Sequence, residues 1–190
     1  MLTPVTSLDA LLVVANTRHG PGAHFHVRAK TIGPDHDHLL DPEDGRAYLV
    51  DHSVAVPAGL PDAATLRDLA AVRETVRALA GDRDVSGRRA PPPTDREVAA
   101  LLAGRRFELA PDGGLRPIRR GWPGFADGLL PPLVELRGDP SRLRVCANPP
   151  CRFAFIDRSR NVSRVWCDPH VCGNRVRVAR ARGGPAVAIS

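Results

Sequence analysis

Aromatic residues make up only 4% of this 190-residue chain, so its buried volume must come mainly from leucine, valine and alanine. Lysine is almost missing: Lys30 stands alone, and the other 26 of the 27 basic residues are arginine. That bias fits a GC-rich genome as well as a function. No stretch reaches the ~18 consecutive apolar residues a membrane span needs. The short apolar run at 8–15 has no basic residue before Arg18, so the positive region of a signal peptide is lacking. A cytoplasmic protein with reduced thiols is expected. A Ser/His/Asp order, a Gly-rich phosphate loop and a paired-carboxylate motif are also lacking. Gly113-Gly114 reads as a turn. The expectation is a protein that is not an enzyme.

The length fits one ordinary domain or two small ones. An apolar share of 43% is enough for a real core. With 17 glycines and 19 prolines the chain should hold much loop and few long helices. Charge is divided unevenly. Residues 1–140 carry 17 basic and 19 acidic side chains, whereas residues 141–190 carry ten arginines and two aspartates, a net +8. Such asymmetry points to an acidic partner, nucleic acid first.

Along the chain, residues 6–17 form an apolar segment that reads as a buried strand or a short helix. His24-Phe-His26-Val alternates as a half-buried strand would. Asp41-Pro42-Glu43-Asp44 has the residues of a helix start, continuing through Arg46 to Val54. The clearest helix spans 62–80. Leu66, Leu69, Val72, Val76 and Leu79 recur at three- and four-residue steps, Asp62 is placed to cap the start, and Gly81 closes it. Residues 82–93 read as a linker. Thr94 and Glu97 form a capping-box pattern ahead of a short helix ending before Gly104. Residues 107–110 and 115–118 flank a hairpin turn. Residues 122–137 are apolar enough for a helix that Pro131-Pro132 must break or restart.

The strongest signal is Cys146-x4-Cys151-x15-Cys167-x4-Cys172, which places all four cysteines within 27 residues in two equal pairs. Four thiolates suit tetrahedral zinc, a borderline-soft, closed-shell ion. Four unrelated thiols or an iron–sulfur cluster also use this count, but equal pairs around a hairpin favour a single zinc. Four ligands leave no open position, so the zinc is expected to be structural and to drive local folding. Segments 152–156 and 162–166 read as two short strands between the pairs, and 173–182 as a helix. The order is then knuckle, hairpin, knuckle, helix, within an α+β fold. Arg152, Arg164 and Arg175 are candidates to offset the formal −2 of a Zn–thiolate site. His170 reads as a loop residue, since four cysteines complete the tetrahedron.

Trp166-Cys-Asp-Pro-His-Val-Cys-Gly173-Asn174-Arg175 resembles the signature of the CGNR zinc-finger family, together with Arg142-Leu-Arg-Val-Cys-Ala-Asn-Pro149 and Asp157-Arg-Ser-Arg-Asn161. Upstream, Ala15-Asn16-Thr17, His38-Leu-Leu-Asp-Pro-Glu-Asp44 and the leucine-spaced helix are similar to the ABATE domain that precedes this finger. The resemblance implies an ABATE-like domain over 1–140, a treble-clef-like finger with a basic helix and short tail over 141–190, and a bacterial regulator of transcription induced by stress. Asp168-Pro169-His170 departs from the family's usual small and hydrophobic residues, and 82–122 is short for it.

Counting about 100° per residue along the last helix, Val171 and Val178 should face the hairpin, with Arg175 and Arg182 at their flanks. Arg177 and Arg180 should face solvent. Asn174 and Arg175 are then candidates to brace the zinc loop beside Trp166 and Gly173. Arg177, Arg180, Arg158, Arg160, Arg164 and Arg182 are candidates for gripping phosphate, whose oxygens match the planar guanidinium. Six neutralised phosphates would give a log–log salt slope of about −5. A solvated arginine face is the competing reading. Phe153, Phe155 and Trp166 read as the finger's own core rather than as stacking platforms for single strands.

DNA is thus the first candidate partner. A small-molecule effector of the N-terminal domain and a second copy of the chain are further candidates; a membrane is not. Two other readings are a zinc-stabilised module that meets an acidic protein and a redox sensor whose oxidised thiolates release zinc. His24, His26, His36 and His38 form two His-x-His pairs interleaved with Asp35 and Asp37. Such groups can bind a metal or a small anion, but a polar surface loop is the expectation, since their spacing matches no recognised metal geometry.

Overall fold

The computed structural model describes residues 7–19, 36–82, 89–148 and 151–183. The α+β class expected from the sequence is the one the chain adopts. The first apolar segment is a helix, α1 (Ser7–Ala15), with Leu11, Val14 and Ala15 fully buried. The Thr17 hydroxyl donates to Val14 O at 2.8 Å and helps close its last turn. A two-residue strand β1 (Arg18–His19) pairs antiparallel with β2 (His36–Asp37). His24 and His26 lie outside the described residues.

After a 3₁₀ turn at His38–Leu40, α2 (Pro42–Asp51) starts as its sequence dictates. Asp41 accepts from Asp44 N at 2.8 Å and proline fills the first turn. The helix stops at Asp51 rather than Val54, because His52 caps it and Ser53 takes a positive φ of 62°. Gly45 lets α2 pack close: a Cβ there would stand 2.9 Å from His38 O.

Helix α3 (Ala63–Leu79) is the centre of the N-terminal core. Asp62 caps it by accepting from Thr65 N at 2.7 Å, and Leu66, Leu69, Val72 and Val76 are buried along one stripe. The capping box of Thr94 and Glu97 opens α4 (Asp95–Leu102). The hairpin β3 (Phe107–Leu109) and β4 (Leu115–Pro117) follows. The 122–137 segment is two helices, α5 (Gly121–Gly128) and α6 (Leu130–Gly138). The break falls at Leu129, and Pro131-Pro132 occupy the first turn of α6, where missing N–H groups cost nothing. Helices α1, α3, α5 and α6 enclose the main core. Among the described residues, no helix is long and apolar enough to cross a membrane.

The C-terminal quarter differs in one respect from its expected strand pairing. The strand β6 (Ala154–Ile156) pairs with β5 (Leu143–Val145), upstream, and not with 162–166. Residues 162–166 are irregular. Val162 takes φ 48°, while the buried Asp157 carboxylate accepts from Ser159 N at 2.8 Å and Arg164 N at 2.7 Å, folding the segment into a loop. A carboxylate that bonds backbone amides at both +2 and +7 offers the chain an alternative to a ladder.

Strand β6 has two apolar faces, as the two-residue period of a strand allows. Ala154 and Ile156 pack with the main core, whereas Phe153 and Phe155 pack around the cysteines. Its outer edge is covered by a side chain. Asn16, at the end of α1, donates from Nδ2 to Ala154 O at 3.0 Å and accepts from Ala154 N at 2.8 Å, so that its amide acts as a neighbouring strand. Asp82 adds an ionic tie between the two parts of the chain, pairing with Arg77 of α3 and with Arg152 beside Cys151.

Candidate metal centre

The first cysteine pair lies in the turn joining β5 to β6. Cys146 ends the β5 side, where its N–H donates to Phe153 O at 2.9 Å. Asn148 O accepts from Cys151 N at 2.8 Å, which bends the chain back. The second pair is set by Asp168, whose carboxylate accepts from His170 N at 2.8 Å and Val171 N at 3.0 Å. A single π-helical turn, Pro169–Gly173, follows and runs into α7 (Asn174–Ala181). Wide turns of this kind recur at functional sites; here it carries Cys172 inward.

The four sulfurs all lie within 4.8 Å of one another. Cys151 Sγ and Cys167 Sγ are 3.6 Å apart, and Cys167 Sγ and Cys172 Sγ are 3.7 Å apart. A tetrahedron with Zn–S bonds of about 2.3 Å has edges of about 3.8 Å, so these spacings fit a zinc ion. They are far longer than the ~2.05 Å of a disulfide and leave no room for the bridging sulfides of an iron–sulfur cluster. Cys146, Cys151 and Cys172 are buried, and Cys167 is half-buried.

Four sulfurs this close cannot all be charged unless a cation sits among them. Hydrogen bonds from the Cys151 and Cys167 side chains hold the Cys146 thiol far below the ordinary thiol range. The same contacts with Cys146 push Cys151 and Cys167 up, and burial pushes Cys172 up. A divalent ion at the centre reverses this, because cysteine binds it only as thiolate. Donors already face the sulfurs: the Asn148 and Cys167 amides bond to Cys146, and the Asn148 side chain bonds to Cys172. Such outer contacts orient ligands and spread their charge. Asn148, buried at 5% exposure, is the residue whose role the sequence reading missed; its place inside the quoted 142–149 pattern was the available signal.

A family model for ABATE, described as "Putative stress-induced transcription regulator", matches residues 9–139, and one for the CGNR zinc finger matches residues 142–183. The chain belongs to the ABATE family. Among curated proteins a search found none that matches it. The metal centre is its CGNR zinc finger, and the letters of the motif acquire separate physical reasons. Cys172 is a ligand. Gly173 has ordinary helical dihedrals, yet a Cβ on it would stand 3.0 Å from Trp166 Cδ1. Any side chain here presses on the indole, which must shift by a few tenths of an ångström to admit it. Gly173→Val is expected to cost about 1–3 kcal/mol, read as a lower denaturant midpoint of the zinc-loaded finger; an unchanged midpoint would mean that the indole is not seated there. Asn174 and Arg175 are exposed on the first turn of α7, and the Arg175 charge acts on Cys172 and Cys151.

The buried face of α7 is a correction to the valine spacing. Val176 is 4% exposed, whereas Val178 is 38% exposed. Cys172 sets this rotation: its sulfur turns inward to the other three, and Val176 lies one turn further along the same stripe. Arg177, Arg180, Arg182 and Arg160 are exposed. Arg164 is turned inward. Its guanidinium donates to the carbonyls of Trp166 and Cys167 and lies 5.3 Å over the Phe155 ring, which removes it from the outward arginine surface. Arg158 is exposed but pairs with Asp9 of α1 at 3.2 Å. His170 is exposed. Phe153 and Phe155 are buried in the small core that Trp166 partly covers.

Proposed function

We propose that the ABATE-family chain is a bacterial cytoplasmic DNA-binding regulator of transcription. One structural zinc folds the CGNR finger, and the N-terminal domain governs it. The observation that carries this reading is α7. It is anchored inward by Cys172 and Val176 and carries Arg177, Arg180 and then Arg182 on exposed positions, with no acidic residue in the helix. Arg160 extends the same charge from the 157–161 loop. A rigid, one-signed arginine surface suits phosphate oxygens. The reading assigns the protein no reaction.

Fluorescence anisotropy of zinc-loaded protein with a DNA duplex tests it. Four arginines contacting phosphate predict a log–log salt slope of roughly −3.6, smaller than six would give, because Arg164 and Arg158 are engaged within the protein. Replacing Arg177 and Arg180 by alanine should weaken binding and bring the slope down by about 1.8. No binding at low salt, or a flat salt response, would contradict the reading. A module that meets an acidic protein has one observation in its favour: Leu143 and Ala154 of the finger share the main core. Under that reading the same arginine variants would leave DNA unaffected and abolish capture of an acidic polypeptide.

A further inference from the structure

A second group of ligand-type side chains lies in the N-terminal domain, well away in sequence from the cysteines. The sequence reading took the histidine pairs for a polar surface loop, and the structure corrects this for two of them. His36 ends up half-buried on β2, and His38 is buried at 4% exposure in the following turn. Both converge on Asp44, from the first turn of α2. His36 Nε2 is 2.6 Å from Asp44 Oδ2, and His38 Nδ1 is 2.9 Å from Asp44 Oδ1. Three ligand atoms of these residues lie within 4.8 Å of one another.

We propose that His36, His38 and Asp44 form a binding site for a second divalent transition-metal ion, distinct from the cysteine centre. Two imidazoles and one carboxylate are a donor set for zinc, iron(II), cobalt or nickel. Metal–N and metal–O bonds of about 2.0–2.2 Å set neighbouring tetrahedral ligands roughly 3.3 Å apart. The present N···O spacings need to open by well under 1 Å, which side-chain torsions supply.

Every ligand stands on fixed backbone. His38 N donates to Thr17 O at 2.9 Å, β2 is held by β1, and Asp44 N is held by the cap of α2. The His38 ring is sandwiched by contact: it stacks on Tyr48 with centroids 4.3 Å apart and meets the edge of His36 at 4.3 Å. Burial disfavours the His38 imidazolium and outweighs the pull of Asp44. The neighbouring Arg73 does not oppose a cation, since both of its terminal nitrogens are paired with Asp37 at 2.5 and 2.9 Å.

Three protein ligands leave one tetrahedral position open, and the His36 and Asp44 side chains retain 35% and 36% exposure. Water or a small effector can therefore complete the shell. This is the opposite of the closed four-cysteine site. The site also borders the finger through Tyr48, whose hydroxyl donates to Asn16 O at 2.8 Å, while the Asn16 side chain holds Ala154. In the metal-free state Asp44 serves as the shared acceptor for two imidazole N–H groups; for an ion to bind through those nitrogens, each proton moves to the other nitrogen of its ring or to water.

The test uses untagged full-length protein with the cysteine site already filled by one equivalent of zinc, titrated with Co²⁺. The expected result is uptake of one further equivalent, with weak visible d–d bands and no sulfur-to-cobalt charge-transfer band. His36→Gln and Asp44→Asn change partly exposed side chains, and each should weaken this uptake by more than about tenfold while keeping the zinc equivalent and the far-UV spectrum. No uptake by the unmodified protein overturns the proposal. So does uptake that both variants retain, or cobalt that appears with the charge-transfer band and has therefore gone to the cysteines. None of these outcomes depends on DNA binding.

Discussion

Cys172→Ser is expected to abolish zinc binding and to unfold residues 141–183, the largest effect of any single substitution considered. Cys172 is fully buried at the start of α7 and its sulfur is one corner of the tetrahedron. Structural zinc contributes an apparent ~10–16 kcal/mol in small fingers, as much as the whole net stability of an ordinary domain, about 5–15 kcal/mol. The rest of the finger cannot replace that. Its own core is Phe153, Phe155 and the cysteines themselves, with Trp166 partly covering them. The damage should also reach the N-terminal domain, because Leu143 and Ala154 belong to the main core. Elemental analysis should lose the finger's zinc equivalent, and the amide resonances of 141–183 should collapse. A strong chelator on the unmodified chain should reproduce both. A serine variant that keeps its zinc and its finger resonances would show that Cys172 is not a ligand.

Asn16→Ala should be the next largest. The side chain makes two buried hydrogen bonds to the edge of β6, at 3.0 and 2.8 Å. Alanine leaves the Ala154 N–H and C=O without partners in a buried setting. Each unpaired group costs about 1–3 kcal/mol, so a loss of roughly 2–5 kcal/mol is expected from urea denaturation. Asn16→Asp separates hydrogen bonding from shape. It keeps an acceptor for Ala154 N but turns a carboxylate oxygen toward Ala154 O, so it should be at least as harmful as alanine. A loss below about 0.5 kcal/mol in both variants would mean that the amide clamp contributes nothing to joining the finger to α1.

What the sequence made legible was local. Asp41-Pro42, Asp62 and the Thr94/Glu97 box announce their helices because caps depend on residues a few positions apart. The four cysteines were readable for the same reason: equal short spacings dictate two tight turns. Features that depend on distant partners were not. Asn16 and Ala154 are 138 positions apart, and nothing in either neighbourhood announces the other. Strand β6 could pair on either side by propensity alone, and Asp157 decided the matter by folding 157–164 into a loop. Valine spacing misplaced the buried face of α7, since the inward turn of Cys172 toward the other three sulfurs overrides the apolar pattern. His36 and His38 were visible as a pair, but Asp44 was read as part of a helix start and of the ABATE-like pattern, not as their partner; the 3₁₀ turn and α2 bring it back over them.

The central claim, that four cysteine sulfurs enclose one zinc and thereby fold the CGNR finger, is tested most directly by zinc K-edge X-ray absorption. The measurement should be made on full-length protein loaded with a single equivalent of the metal. The account predicts a shell of four sulfurs at about 2.3 Å and no nitrogen or oxygen ligand. A mixed nitrogen, oxygen and sulfur shell, or protein that retains no metal after dialysis, would contradict it.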